Sequence, residues 1–174
     1  MAAVELQEIL TAREARARRI KSFLVRYRLP LIVLTLNIPG PDKTPNWAEQ
    51  VFCAGIRAAR ETFSPMNEKA CRLSSGFEWY GVVEGESLHL KKAAVGIEES
   101  HPLGRLFDFD LHVPDASQPD RRALGLEPRR CLVCDRPAHE CARSRRHGLD
   151  ELLRMVQSLL DARVSDQGYT LQKY

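Results

Sequence analysis

The chain has 174 residues, a length suited to one domain or a domain with a small appendage, and its 44% hydrophobic content is ample for a buried core. No apolar stretch approaches the roughly 20 residues of a membrane span, and Met1–Leu6 lacks the basic and apolar regions of a secretory signal. The expectation is a cytoplasmic chain without membrane association, whose five cysteines serve as thiols or metal ligands rather than disulfides.

The net charge of +3 hides an asymmetry: eight arginines fall between Arg121 and Arg146, with far fewer acids. Such a patch suits phosphate-bearing ligands, nucleic acid or an acidic partner. In chain order, residues 4–28 read as a basic helix. Thr11-Ala12-Arg13-Glu14 fits a capping box with Thr11 as N-cap. Ala17, Ile20, Leu24 and Tyr27 form an apolar stripe at helical spacing. The arginines of this helix are either a solvated face or, at Arg13 and Arg16, a grip on a polyphosphate.

Residues 31–38 form a short, nearly continuous apolar run stopped by Pro39-Gly40-Pro41, as in a central strand buried on both faces. Thr44-Pro45 reads as an N-cap followed by proline at the first helical position, opening a helix over 45–63. A second strand is expected over 77–83 and a helix over 87–99. Next comes a strand with clean alternation: Phe107, Phe109, Leu111 and Val113 on one face, Leu106, Asp108, Asp110 and His112 on the other. Residues 121–124 are expected to return as a short antiparallel partner. A Cys-, His- and Arg-rich loop over 128–147 precedes an amphipathic helix marked by Leu149, Leu152, Leu153, Val156, Leu159, Leu160 and Val164. The tail after Ser165 reads as loose. No Walker or Rossmann glycine signature is present.

These elements predict an α+β fold. It comprises a single mixed or antiparallel sheet of about four to five strands with helices packed on it, and a zinc-like Cys-rich loop before the C-terminal helix. Residues 1–174 form one domain in this reading, with a core of 11–164.

Two constellations carry chemistry. Asp108 and Asp110 lie on one face of one strand, where a carboxylate pair can hold Mg²⁺ against a phosphate. An acid pair on a strand is also an ordinary device for protecting an exposed edge. His101, Arg105 and His112 flank the pair. The second is Cys131-x₂-Cys134-x₆-Cys141-x₅-His147, which supplies the four N/S donors of a structural Zn²⁺ site. His139 is the substitute for His147. Arg129 and Arg130, beside this loop, belong to an arginine set able to grip phosphates.

Ser100-His101-Pro102-Leu103-Gly104-Arg105-Leu106-Phe107-Asp108-Phe109-Asp110, Pro128-Arg129-Arg130-Cys131-Leu132-Val133-Cys134, and Cys141-Ala142-Arg143 with His147 resemble the CitX-type enzymes. So do Ala12–Arg18 and the run from Pro30 to Pro41. These enzymes are the apo-citrate lyase phosphoribosyl-dephospho-CoA transferases. The resemblance implies a nucleotidyltransferase-type reaction. A phosphoribosyl-dephospho-CoA group passes from its triphosphate precursor to a serine of the citrate lyase acyl carrier subunit, and diphosphate leaves. It assigns no residue roles, so these come from residue type and place. Asp108 and Asp110 bind Mg²⁺; Arg13, Arg16 and Arg105, with Arg129 and Arg130, hold phosphate oxygens; His101 takes the serine proton, with His112 as second candidate. The alternative is a non-enzymatic zinc-containing module that binds nucleic acid or protein. The absence of aromatics among the basic residues, and of a recognition helix, argues against nucleic acid.

Overall fold

The computed structural model describes residues 6–114, 119 and 121–166. Its elements, in order, are α1 (Leu6–Tyr27), β1 (Leu31–Leu36), α2 (Ala48–Phe63), β2 (Asn67–Leu73), β3 (Gly76–Val82), α3 (Ser87–Ser100), β4 (Phe107–His112), α4 (Ala138–Ser144) and α5 (Leu149–Asp166). The strands form one antiparallel sheet in the order β2-β3-β1-β4. The α+β expectation therefore holds, with four strands.

The period of two divides the sheet into unlike faces. On one, Ile32 and Leu34 of β1, Phe77 and Trp79 of β3, and Phe107, Phe109 and Leu111 of β4 join the main core. Helices α2 and α3 cover this face, and Val156 of α5 is buried with them. On the other face, Leu31 and Val33 of β1 and Tyr80 and Val82 of β3 meet Ile20, Phe23, Leu24 and Tyr27 of α1. Strand β1 is central and buried on both faces, as its sequence predicts. Asp108, Asp110 and His112 belong to the α1 side of the sheet, opposite Thr35, Val33 and Leu31 in the register of β1.

Strand β4 is an edge strand, and side chains cover its open groups. The Glu98 carboxylate accepts from the Phe109 N–H at 2.8 Å, Lys91 donates to the Phe109 carbonyl at 3.1 Å, and Arg129 donates to the Phe107 carbonyl. A capped edge offers nothing to a stray strand. Burial pushes the Glu98 carboxyl above the ordinary range, against the pull of the Phe109 N–H.

Several local expectations are corrected. The first helix begins at Leu6, so Thr11 and Glu14 lie inside it and form no capping box; Leu-Gln-Glu-Ile-Leu, just before Thr11, offers nothing to break a helix. Thr44 does not cap α2: its N–H bonds to Asp42 Oδ1 at 2.9 Å in a turn, and the helix starts at Ala48. Residues 121–124 make a 3-10 turn rather than a strand, because the β4 edge is already occupied by side chains. Strand β2 and helix α4 are additions the sequence does not advertise. The tail after Asp166 lies outside the described residues.

Gly104 sits where the backbone turns from α3 into β4. A Cβ there would meet the carbonyl oxygens of Glu98 and Ile97 at 2.4 and 2.6 Å, and backbone cannot swing aside as a side chain can. Gly104→Ala is expected to destabilise the fold by about 1–3 kcal/mol, measured as a lower urea midpoint with an unchanged slope.

Candidate functional site

The site is built from the α1 side of the sheet. Register places Glu78 of β3, Thr35 of β1 and Asp108 of β4 in one row across the strands. The next row holds Tyr80, Val33 and Asp110. Polar side chains at this depth need partners, and α1 supplies them for Glu78 and Tyr80.

Glu78 is 1% exposed. Arg16 Nε donates to its Oε1 at 2.9 Å and Arg19 Nη2 to its Oε2 at 2.5 Å, while the Tyr80 hydroxyl also donates to Oε2. Arg19 Nε completes the network at the Tyr80 oxygen, 3.0 Å away. Burial alone would raise the Glu78 carboxyl; the bonds from Tyr80 and Arg16, with the arginine charges, hold it below the ordinary range. Burial pushes the Tyr80 phenol up, well above the usual tyrosine range. Arg16 and Arg19 share the helix face that carries Ile20, Phe23 and Tyr27, so burying that apolar stripe also brings both guanidiniums over the sheet.

Asp108 accepts from Thr35 Oγ1 at 3.3 Å and from Arg129 Nη1 at 3.1 Å. Asp110 is exposed to solvent on this face of β4. Lost hydration and the Asp108 charge beside it push its carboxyl up, while the charges of Lys91 and Arg16, and of His112 once protonated in acid, oppose the rise. Burial holds the His112 imidazole below the ordinary histidine range, so it is neutral at pH 7.

The other expected residues take distinct places. Arg13 is exposed on α1. His101 caps α3: its N–H bonds to the Ile97 carbonyl at 3.0 Å, its Nδ1 accepts the Leu103 N–H at 3.0 Å, and its ring lies 4.8 Å from that of Phe107. Arg105 turns away from the acids and donates to the carbonyls of Cys131 and Arg130. Arg130 is exposed and faces Asp135 at 3.6 Å. Glu78, Arg19, Thr35 and Lys91 join the site without having been singled out in the sequence. A cleft of about 670 Å³ lies along α1 on its β2 side, lined by Arg18, Arg26 and Lys69 among others, whereas the carboxylates lie on the β4 side.

The Cys-rich segment is a second, separate cluster. Cys131 and Cys134 stand in a small reversal closed by Cys131 N–H to Arg136 O and Ala138 N–H to Arg129 O, both 2.7 Å. Cys141 comes from α4 and His147 from the approach to α5. The four donor atoms lie within 4.8 Å of one another. Cys134 and Cys141 sulfurs are 3.6 Å apart, and His147 Nε2 is 3.3 Å from Cys134. A tetrahedral zinc with ~2.3 Å bonds to sulfur needs edges of about 3.8 Å, so the donor set fits. His147 Nδ1 meets Glu151 at 3.1 Å, the carboxylate support metal-binding histidines favour. The Arg136 backbone N–H and His147 bring the Cys134 thiol down to about 7, while burial and the neighbouring thiols push Cys141 up to about 11. His139 is exposed and stands outside the cluster.

The chain is similar to known proteins over nearly its whole length. The sequence model of the family described as CitX, apo-citrate lyase phosphoribosyl-dephospho-CoA transferase, matches residues 4–163. A protein of that name from Citrobacter koseri is 35% identical over 163 residues, covering 91% of this chain and 89% of the relative. One from Escherichia coli O1:K1 is 36% identical over 164 residues, covering 91% and 90%. A protein named as a probable member in Vibrio cholerae is 38% identical over 162 residues, covering 90% and 91%.

Glu78 yields a direct test. Its carboxyl is depressed in the folded protein, so its stabilisation is present above about pH 4.5 and is lost as pH falls through the lower folded value. Glu78→Gln is expected to cost on the order of 2 kcal/mol at pH 7, less than a fully buried pair because both arginines keep some solvent. Urea unfolding at pH 7 and below pH 4 should show the gap between wild type and variant narrowing in acid.

Proposed function

The chain belongs to the apo-citrate lyase phosphoribosyl-dephospho-CoA transferase family, and from that premise we propose that it attaches this prosthetic group to a serine of the citrate lyase acyl carrier subunit. The donor is the triphosphate precursor. The serine oxygen bonds to the α-phosphorus, the bond from that phosphorus to the leaving diphosphate breaks, and the serine proton passes to a base. What carries the assignment of the reaction centre is the gathering of Asp108, Asp110 and Arg16 on one side of the sheet.

Asp108 and Asp110 are the residues to hold Mg²⁺; bound there, the cation supplies neutralisation of phosphate charge. Arg16 is anchored through Nε on Glu78 and brings its charge within reach of Asp110, where a phosphate oxygen can take it up. Arg13, on the same helix, extends this positive surface. The proton falls to His112 rather than His101. His112 shares the strand face of Asp110 and is neutral at pH 7, whereas His101 Nδ1 is taken up in the α3 turn. Cys131, Cys134, Cys141 and His147 are the residues to hold Zn²⁺, and four protein donors leave no open position, so its role is structural. No helix among the described residues is long and apolar enough to cross a membrane. The zinc-centred binding module is not favoured, because relatives along nearly the whole chain carry a transferase name.

Incubated with precursor, Mg²⁺ and folded apo-carrier, the protein is expected to add one prosthetic group, read as a mass increase on the carrier. An unchanged carrier mass would reject the reading. Asp108→Asn should lower the rate by about 10²–10³-fold, in the range of lost transition-state charge stabilisation. His112→Gln should cost about 10²–10⁴-fold and remove the acid limb of the wild-type pH profile, which lies below pH 6.5 because burial lowers the imidazole. Metal analysis of chelator-free protein should find about one zinc per chain.

A further inference from the structure

Two arginines cross between the reaction strand and the Cys-rich segment. Arg105, at the head of β4, donates to the carbonyls of Arg130 and Cys131. Arg129, two residues before Cys131, reaches back: Nη1 bonds to the Asp108 carboxylate at 3.1 Å, and Nη2 bonds to the carbonyls of Arg105, at 2.9 Å, and Phe107. Each segment thus holds the backbone of the other. The Arg129 backbone is itself fixed by the Cys-rich segment 129–147, the knuckle, through the Ala138 N–H on its carbonyl and the pairing of Arg130 with Pro137.

The knuckle has little else to order it. Cys131 and Cys141 are its buried side chains and Leu132 its apolar contact with the core, while the four metal donors draw together the reversal, α4 and the start of α5. Fixing such a segment costs conformational entropy that so small an apolar interior does not repay. A metal that joins the four donors would hold it.

We propose that the Cys₃His centre is a positioning device for the reaction strand: with zinc bound, it presents Arg129 to Asp108 and to the carbonyls beside it. Arg129 is then a positioning residue rather than a phosphate ligand, since its two terminal nitrogens are committed to Asp108 and the strand. Arg105 is the return half of the same clasp. The inference rests on Asp108 belonging to the reaction centre. Lysine would not substitute fully, because a single ammonium cannot reproduce the planar fork that serves a carboxylate and two carbonyls at once.

The test uses the full chain, with zinc bound and after removal by a chelator, as wild type, R129A and R129K. Amide hydrogen exchange over residues 105–110 reads the clasp without catalysis. Removing zinc from wild type is expected to lower the protection of this segment, and R129A is expected to show the same loss with zinc bound. Stripping zinc from R129A should add nothing, and R129K should fall between. Transfer to the carrier should follow, about 10–100-fold lower in the stripped protein. Intact protection of 105–110 after zinc removal would overturn the proposal. So would losses from zinc removal and R129A that multiply in full. Should R129A fail to fold, stripped wild type and R129K carry the comparison. Absence of transfer by zinc-loaded wild type would reject the proposed reaction, while the exchange data would still decide the clasp.

Discussion

A buried carboxylate orders much of this molecule. Glu78 lies near the middle of a strand with apolar neighbours, where an unpaired charge would cost several kcal/mol or force protonation. It stays ionised because Arg16 and Arg19 approach from α1 and Tyr80 donates from its own strand. Those bonds accept only one placement of the helix. Slipping α1 by a residue would withdraw the arginines from Glu78 and turn Ile20 and Phe23 off the sheet. One interaction thus sets the register of α1 and delivers positive charge to the face that carries Asp108 and Asp110.

The sheet is correspondingly one-sided in its purpose. One face is filled by aromatic and aliphatic side chains beneath α2 and α3 and is a core. The other is covered by α1 over β1 and β3. At the β4 edge the same alternation that drives Phe107, Phe109 and Leu111 inward sets two acids and a histidine outward, with solvent in contact at Asp110. An edge strand ordinarily invites pairing. Here Glu98, Lys91 and Arg129 occupy its backbone groups, so the edge is held straight by side chains. Rigid support of this kind is what phosphate chemistry needs, since its catalysis consists largely of fixed charge in a fixed place.

Much of this was legible in the sequence because alternation and helical spacing survive wherever an element has one buried face. Strand β4, helices α3 and α5, the buried β1 and the Cys-x-x-Cys spacing all read correctly. Strand β2 did not: Asn67 to Leu73 is an edge strand largely exposed on both sides, so no hydrophobic rhythm marks it. Helix α4 has only seven residues and is shaped by the Cys cluster rather than by an apolar stripe. Glu78 was the instructive omission. Its partners lie 62 and 59 residues upstream, beyond any local pattern. Two faint signals existed: a glutamate set between Phe77 and Trp79 in an otherwise apolar strand, and arginines at 16 and 19 in phase with the stripe of Ile20, Phe23 and Tyr27. The clasp made by Arg105 and Arg129 was equally hidden, because spacing shows which residues lie close in the chain and not which arginine spends its nitrogens on backbone.

The central claim is that the α1 side of β4 is where the donor's phosphates meet their cation. The most direct measurement is a crystal structure of the protein with the triphosphate donor and Mn²⁺ in place of Mg²⁺, with the metal located by its anomalous scattering. The account predicts a peak shared by the Asp108 and Asp110 carboxylates, with phosphate oxygens turned toward Arg16. A donor seated instead in the cleft between α1 and β2, against Arg18, Arg26 and Lys69, with no metal at the two aspartates, would contradict it.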